Sequence, residues 1–386
     1  MSQDPEHLLR VRHALPAVQK LVYMNTGTAG PLPVAAIKVL QESQLAELIH
    51  GRISREANLR KLKAKVETKK LVAELLKADA DDIVLTQNTT EGINFITTAL
   101  KWQPGDEVIT TNVEHAGVLL PLAALHQWHG VWVKVARLDS NPLEAIREQI
   151  SSRTKLIAIS HVSYSTGEVL PVEDIVELAH RHGIPVLLDG AQGAGAVPVD
   201  VVQLGVDFYS LPGQKWLCGP EGTGALYVRR ERLKDLSPSF LGYGSVEEFD
   251  QDGNFRLHRS VRRFEVGSVN IPAITGLGAS IHWLQQEVGL DWAYDRIRSL
   301  GQLTRRELAA IPGVTVLTPD RAAGLVSFRL EGVRPELLVE ILAGQGIIIR
   351  SISELACVRA SLGFFNTEEE VEKLVRAVAA AKINSV

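Results

Sequence analysis

The chain has 386 residues, 45% hydrophobic and 22% charged, with a formal net charge of −4. That is the composition of a globular enzyme of two or three domains with a large core, and its charge makes no electrostatic case for nucleic acid or an anionic membrane as partner. The two cysteines, Cys218 and Cys357, form no CxxC pair and no disulfide framework, which suits a reducing cytosol and leads us to expect a cytoplasmic protein.

The opening stretch MSQDPEHLLRVRHALP lacks the apolar core of a signal peptide, and no run of 18 apolar residues predicts a membrane span. A first helix is expected at about 5–15, packed on the C-terminal part of the chain. From about residue 60, helical and strand-like segments alternate. KLKAKVETKKLVAELLKA and TTEGINFITTALKW read as helices. DIVLTQN, EVITT, VWVKVAR, KLIAIS, IPVLLD and VDFYS read as short strands buried on both faces. Such strands with helical crossovers predict an α/β, mostly parallel sheet. After about residue 260 the pattern changes. LVSFRL and GIIIRSI read as strands flanked by the helices RPELLVEILAGQG and TEEEVEKLVRAVAAAKI, which predicts a smaller α+β domain. The expected division is residues 16–260 for the large domain, with 1–15 and 261–386 forming the small one.

Five places carry chemistry. In QNTTEGIN (87–94) a strand gives way to a helix. Thr89 and Thr90 there form either a phosphate cradle at the helix N-terminus or a plain cap made by Thr90. His115, in VEHAGVLLP, either lays its imidazole on a flat ring or is an ordinary loop histidine. Asp189 ends the apolar run VLLD, with Gln192 three residues on. A carboxylate at a central strand end faces the ligand crevice of an open α/β sheet and calls for a cationic partner; the alternative is a turn aspartate. Lys215 sits in SLPGQKWLCGPEGTGALYV, between a turn and a glycine-rich hairpin. A poorly hydrated lysine there is able to form a Schiff base with an aldehyde; the alternative is a solvated side chain. Arg359, in CVRASLGFFNTEEE, is suited to clamping a carboxylate or to a surface ion pair. The HQWH (126–129) and HRH (180–182) histidines have no carboxylate or thiolate companions in sequence, so no metal site is expected.

In this order, and with DGAQ, GQKWLCGPEGTGALYV and RASL followed by NT, the chain resembles the fold type I pyridoxal-phosphate enzymes. Within them it is similar to the class V aminotransferase superfamily, which includes cysteine desulfurases, cystine C–S lyases and isopenicillin-N-epimerase-like proteins. The resemblance runs from VYMNTGTAGPLP (22–33) to RASLGFFNTEEEVEKLV (359–375). It implies a seven-stranded large domain and pyridoxal 5'-phosphate as cofactor. It also implies an amino-acid substrate and a homodimer. Lys215 would hold the cofactor as a Schiff base and Asp189 would pair with the ring nitrogen. Gln192 would bond the ring's phenolic oxygen, His115 would stack on the ring, and Thr89 and Thr90 would hold the phosphate. Arg359 would bind the substrate α-carboxylate, with the 25–29 loop and its Thr28 nearby.

Four departures stand out. Only SISELACV separates Arg350 from Arg359, so the long loop on which cysteine desulfurases carry a nucleophilic thiol is missing. Cys357 is too close to Arg359 for that role, and Cys218 reads as a packed residue. Gln214 stands where relatives commonly have His before the lysine, able to donate to phosphate but not as a cation. Tyr164 stands where many have Asn near the ring oxygen. In FEVGSVNIPAITGLG, Ile271 falls where relatives often offer Thr to the neighbouring subunit's phosphate, with Ser268 and Asn270 close by. The expected activity is α,β-elimination releasing sulfur from cysteine, cystine or a similar β-substituted amino acid. Desulfuration, transamination and epimerisation are the alternatives.

Overall fold

The computed structural model describes residues 5–138 and 141–383. Short runs of aliphatic and β-branched residues form one sheet of seven strands. These are β1 (Ile83–Thr86), β2 (Glu107–Thr111), β3 (Trp132–Ala136), β4 (Thr154–Ser160), β5 (Val186–Asp189), β6 (Phe208–Pro212) and β7 (Gly224–Val228). Their order is β1-β7-β6-β5-β4-β2-β3. The pairs β2–β3, β2–β4, β4–β5 and β5–β6 are parallel, whereas β7 runs antiparallel to both neighbours. Residues 213–223 alone join β6 to β7, too short a connection for a crossover, so the chain returns beside the strand it left. Lys215 lies in that return.

Alternation along each strand sends side chains to two cores. Val186 and Leu188 of β5 join one cluster with Leu211 and Ile281, while Leu187 points to the other with Ile93, Val118 and Phe208. One strand departs from expectation. VWVKVAR was read as buried on both faces, but β3 is an edge strand with β2 as its single neighbour, and Trp132 is 57% exposed.

Among the described residues, ten longer helices surround the sheets: α1 (Pro5–His13), α2 (Val34–His50), α3 (Arg55–Leu76), α4 (Thr89–Ala99), α5 (Ala116–His129), α6 (Val172–Arg181), α7 (Ile271–Trp283), α8 (Leu290–Ala309), α9 (Pro335–Ala343) and α10 (Glu368–Ile383). Helix α7 lies across α2 and α3, where the Thr68 hydroxyl donates to the Ile274 carbonyl at 3.1 Å. A Cβ at Gly278 would stand 2.7 Å from that hydroxyl oxygen, so the crossing depends on the missing side chain. A second sheet, β8 (Val314–Val316), β9 (Leu325–Leu330), β10 (Arg350–Ile352) and β11 (Cys357–Ser361), is antiparallel throughout in the order β8-β9-β11-β10. Its core holds Phe328, Val358, Leu338 and Leu374. The expected strand GIIIRSI is split. Ile347–Ile348 pairs in parallel with Val22–Tyr23, and β10 follows. From α1, Arg12 donates to the Phe365 carbonyl at 2.7 Å and to Glu370 at 3.0 Å, tying the first helix to the C-terminal segment.

The HRH segment does have a carboxylate companion. His180 Nε2 lies 2.8 Å from Asp207 Oδ2, and Arg232 Nε donates to Asp207 Oδ1 at 2.7 Å. Burial pushes that carboxyl up, but bonds from His180, Arg232 and the Val186 amide outweigh it and hold it below the usual range. The cluster fixes the start of β5. Among the described residues, no three or more His, Cys, Asp or Glu gather as a metal site, and no helix is long and apolar enough to cross a membrane.

Candidate active site

The parallel strands end on one edge of the sheet, and the chain leaves that edge carrying polar residues. Asp189 is the last residue of β5 and is 6% exposed. Its Oδ1 accepts from the Ala191 amide at 2.8 Å. Burial raises its carboxyl, and the Lys215 ammonium, the Ala191 bond and His115 oppose that rise. Lys215 lies across from it. Burial lowers its amine to about 8; Asp189 resists, and Arg359 and Arg350 add to the fall. The turn that holds Lys215 is pinned on several sides. Gly213 donates to the Thr223 carbonyl at 2.8 Å, Cys218 to the Lys215 carbonyl at 3.0 Å, and Gly30 to the Gln214 carbonyl at 2.7 Å. Cys218 takes a left-handed φ of 53° to close it. A Cβ at Gly30 would stand 2.2 Å from the Lys215 carbonyl oxygen, so only glycine lets the 25–30 loop come this near.

Two helix N-termini converge on the same edge. Asn88, not Thr90, caps α4: its Oδ1 accepts from the Glu91 amide at 2.9 Å, and Glu91 reaches back to the Gln87 amide at 2.5 Å. This reciprocal cap leaves both threonine hydroxyls uncommitted to capping. Thr89 is buried, and the Ser210 hydroxyl donates to its carbonyl at 2.8 Å. Thr90 is exposed, with its hydroxyl 2.6 Å from where a Cβ on Gly117 of α5 would stand. His115 caps α5, with Nδ1 accepting from the Gly117 amide at 3.0 Å. That bond puts the ring proton on Nε2 and agrees with a lowered pKa, driven by burial and by the Lys215 charge. The ring meets Tyr164 edge-on, with centroids 5.0 Å apart.

Arg359, in the middle of β11, is fully buried. Nη1 donates to the Tyr164 carbonyl at 2.6 Å, but Nε and Nη2 have no partner. Burial and the neighbouring Arg350 push its pKa down to about 9. No carboxylate pairs with it among the described residues, so the surface ion-pair reading fails. A Cβ on Gly27 would stand 3.0 Å from Nη2, 2.9 Å from Gln192 Oε1 and 2.8 Å from the unpartnered Ser361 hydroxyl, which ties these groups to one pocket. The Gln192 amide is held at both ends, donating to the Gly27 carbonyl and accepting from Trp216 Nε1, each at 2.8 Å. Gln214 Oε1 is buried without a partner. Thr28 donates to Asn25 Oδ1 at 2.8 Å and sits 3.5 Å from Arg350 Nη1.

The expected residues that carry the chemistry within one subunit are therefore brought together. Burial, and second to it the Glu354 charge, raises the Tyr164 pKa to about 12. Ser268 and Asn270, expected near a neighbouring subunit's phosphate, line a cavity of about 460 Å3 together with Gln87 and Glu91; Asn270 caps α7 and Ser268 bonds the Tyr243 hydroxyl. Sequence reasoning missed Arg350 as a site residue. It stands directly opposite Arg359 in the β10–β11 register, and its signal was its place in an otherwise apolar run.

Unpartnered guanidinium nitrogens and a lysine of lowered pKa facing a strand-end carboxylate fit an anionic amino-acid substrate and an aldehyde cofactor with a basic ring nitrogen. This defines a pyridoxal-phosphate-dependent enzyme. A model of the class-V aminotransferases matches residues 22–374, and the chain belongs to that family. It is 32% identical to a probable cysteine desulfurase of Methanothermobacter thermautotrophicus over 94% of this chain and 95% of that protein. It is 33% identical to the Escherichia coli cysteine desulfurase CsdA over 95% of this chain and 96% of that one. The cystine C–S lyase C-DES, solved with its reaction product cysteine persulfide, superposes with a TM-score of 0.90 at 28% identity, covering 95% of this chain and 99% of that one. A C-DES mutant with glycine covalently linked to the PLP cofactor superposes with a TM-score of 0.91 at 28% identity over 95% of this chain and 98% of that one.

Proposed function

We propose that this protein is a C–S lyase that releases sulfur from cysteine, cystine or a related β-substituted amino acid by α,β-elimination. One observation carries the choice of reaction. Cys357 is locked in β11 opposite Ile352 of β10, fully buried, with only residues 353–356 between the strands. Cys218 is also fully buried, and burial pushes its thiol up to about 12. Neither thiol is placed to swing out and take sulfur from a substrate, so the sulfur leaves on a product. The names of the relatives favour desulfuration as the second reading. Incubation with cystine or cysteine separates the two. The lyase yields pyruvate with persulfide or sulfide, and a Cys357→Ala protein keeps that activity. Alanine as the product, or loss of activity in Cys357→Ala, rejects the lyase.

Pyridoxal phosphate supplies an electron sink beside the substrate Cα. Lys215 would hold it, and Asp189 would keep a proton on its ring nitrogen. His115 would lie against the ring, and Gln192, with one amide hydrogen beyond its Gly27 bond, would donate to the ring oxygen. The Thr89 and Thr90 hydroxyls, the N-termini of α4 and α5, and Gln214 would take the phosphate. Arg359 binds the substrate carboxylate through Nε and Nη2, a fork made for that group. Lys215 Nζ, with a pKa near 8, is a usable base for the Cα proton close to neutral pH. Arg350 and Thr28 close the substrate side.

A cytoplasmic homodimer, with the chain divided at 16–260 against 1–15 and 261–386, completes the reading. Leu45, Leu48, Ile49, Ile53, Leu59 and Leu62 form an exposed apolar stripe on α2, α3 and their connection, and Ile53 is 92% exposed. Such a stripe is what a partner subunit would cover. Sedimentation of Leu48→Glu/Ile53→Glu tests it; a mass unchanged from wild type rejects this surface as the interface.

A further inference from the structure

Glu114, one residue before His115, is 4% exposed and has no part in the chemistry above. Its Oε1 accepts from the Thr111 hydroxyl at the end of β2, and its Oε2 accepts from the Ser160 hydroxyl at the end of β4, both at 2.5 Å. Ser160 is the register partner of Asp189 on β5. One carboxyl thus spans two strand ends and lies beside the third. The rest of the 112–115 turn is tied as well: Asn112 accepts from the Leu138 amide at 2.9 Å, and His115 from Gly117.

We propose that Glu114 is a positioning residue: its carboxyl clamps the ends of β2 and β4 and so fixes the spacing between His115 and Asp189. The choice of side chain follows from the partners. Two buried hydroxyls aimed at one group need an acceptor at each oxygen, which a carboxylate provides and an apolar side chain does not. Thr111 faces it from β2, Ser160 from β4, Asp189 from β5, and His115 follows it into α5. The Asp189 charge acts on Glu114 and favours its protonated form. Burial, opposed by Ser160 and Thr111 and aided by Asp189, lifts the Glu114 carboxyl to about 7.

The test rests on the cofactor-loaded protein and on the pH titration of its visible absorbance. That readout does not depend on which substrate is turned over, so failure of the lyase reading leaves it intact. Wild type, Glu114→Gln and Glu114→Ala are compared. In Glu114→Gln the midpoint of the spectral titration moves by about one pH unit and kcat falls while KM holds. A role confined to folding lowers the melting temperature and leaves the midpoint unmoved. A Glu114→Gln midpoint and kcat matching wild type overturn the proposal, even if Glu114→Ala does not fold.

Discussion

Replacing Arg359 by Gln gives the sharpest test of the substrate assignment. The guanidinium is fully buried, spends one nitrogen on the Tyr164 carbonyl, and leaves Nε and Nη2 without partners. A carboxylate received there forms two charge-assisted bonds in a desolvated pocket, and losing one side of such a pair costs about 3–5 kcal/mol. At about 1.4 kcal/mol per decade this is a fall in kcat/KM of roughly 140- to 4000-fold. The assay is pyruvate release from cystine, with cystamine, which lacks the carboxylates, followed by consumption of its amine as a control. Arg359→Gln loses most of its activity on cystine and keeps its low rate on cystamine. Equal losses on both compounds would show that Arg359 supports the fold and not the carboxylate. A loss on cystine under tenfold would refute the reasoning outright.

Cys357→Ala and Cys218→Ala proteins release sulfur from cystine within about threefold of wild type, because neither thiol touches the reacting atoms; a 100-fold loss in either would restore a thiol carrier. Because burial lowers the Lys215 amine from 10.5 to about 8, and only the unprotonated amine takes a proton, kcat rises with pH and levels off above about 8. A profile flat from pH 6 to 9, or an ascending limb near 10, contradicts the assignment of Lys215 as base. Burial raises the Glu114 carboxyl from 4.5 to about 7. Its contribution to stability is then complete below pH 4.5 and is lost as pH climbs through about 7, a span of about 3 kcal/mol. Urea unfolding of the cofactor-free protein should show this slope in wild type and a flatter one in Glu114→Gln. Identical slopes would mean that the carboxyl titrates normally.

The parts of the site most legible in the sequence were those set by strand ends and tight turns. Asp189 stood out because an apolar run stops on it, and Lys215 because glycine and proline confine it. Other parts depend on pairing across the sheet, which sequence spacing does not carry. Arg350 looks like a landmark until β10 is laid against β11 and it falls opposite Arg359. Glu114 looks like a neighbour of His115 until Thr111 and Ser160, 49 residues apart in sequence, close on its two oxygens. The Asn88 cap was missed because Thr90 was an equally good candidate in sequence, and only the backbone angle chose between them. The exposed face of β3 was missed because an apolar run does not say whether its strand lies at an edge.

The return from β6 to β7 also bears on stereochemistry. Its backbone is closed on itself by the Gly213–Thr223 and Cys218–Lys215 bonds and tied to the 25–30 loop through Gly30, so the amine moves only by rotation about its own methylenes. A tethered arm of that kind reaches one side of a planar carbon. Hydrogen exchanged at Cα in deuterated solvent should return from the side it left, with the handedness of the amino acid preserved.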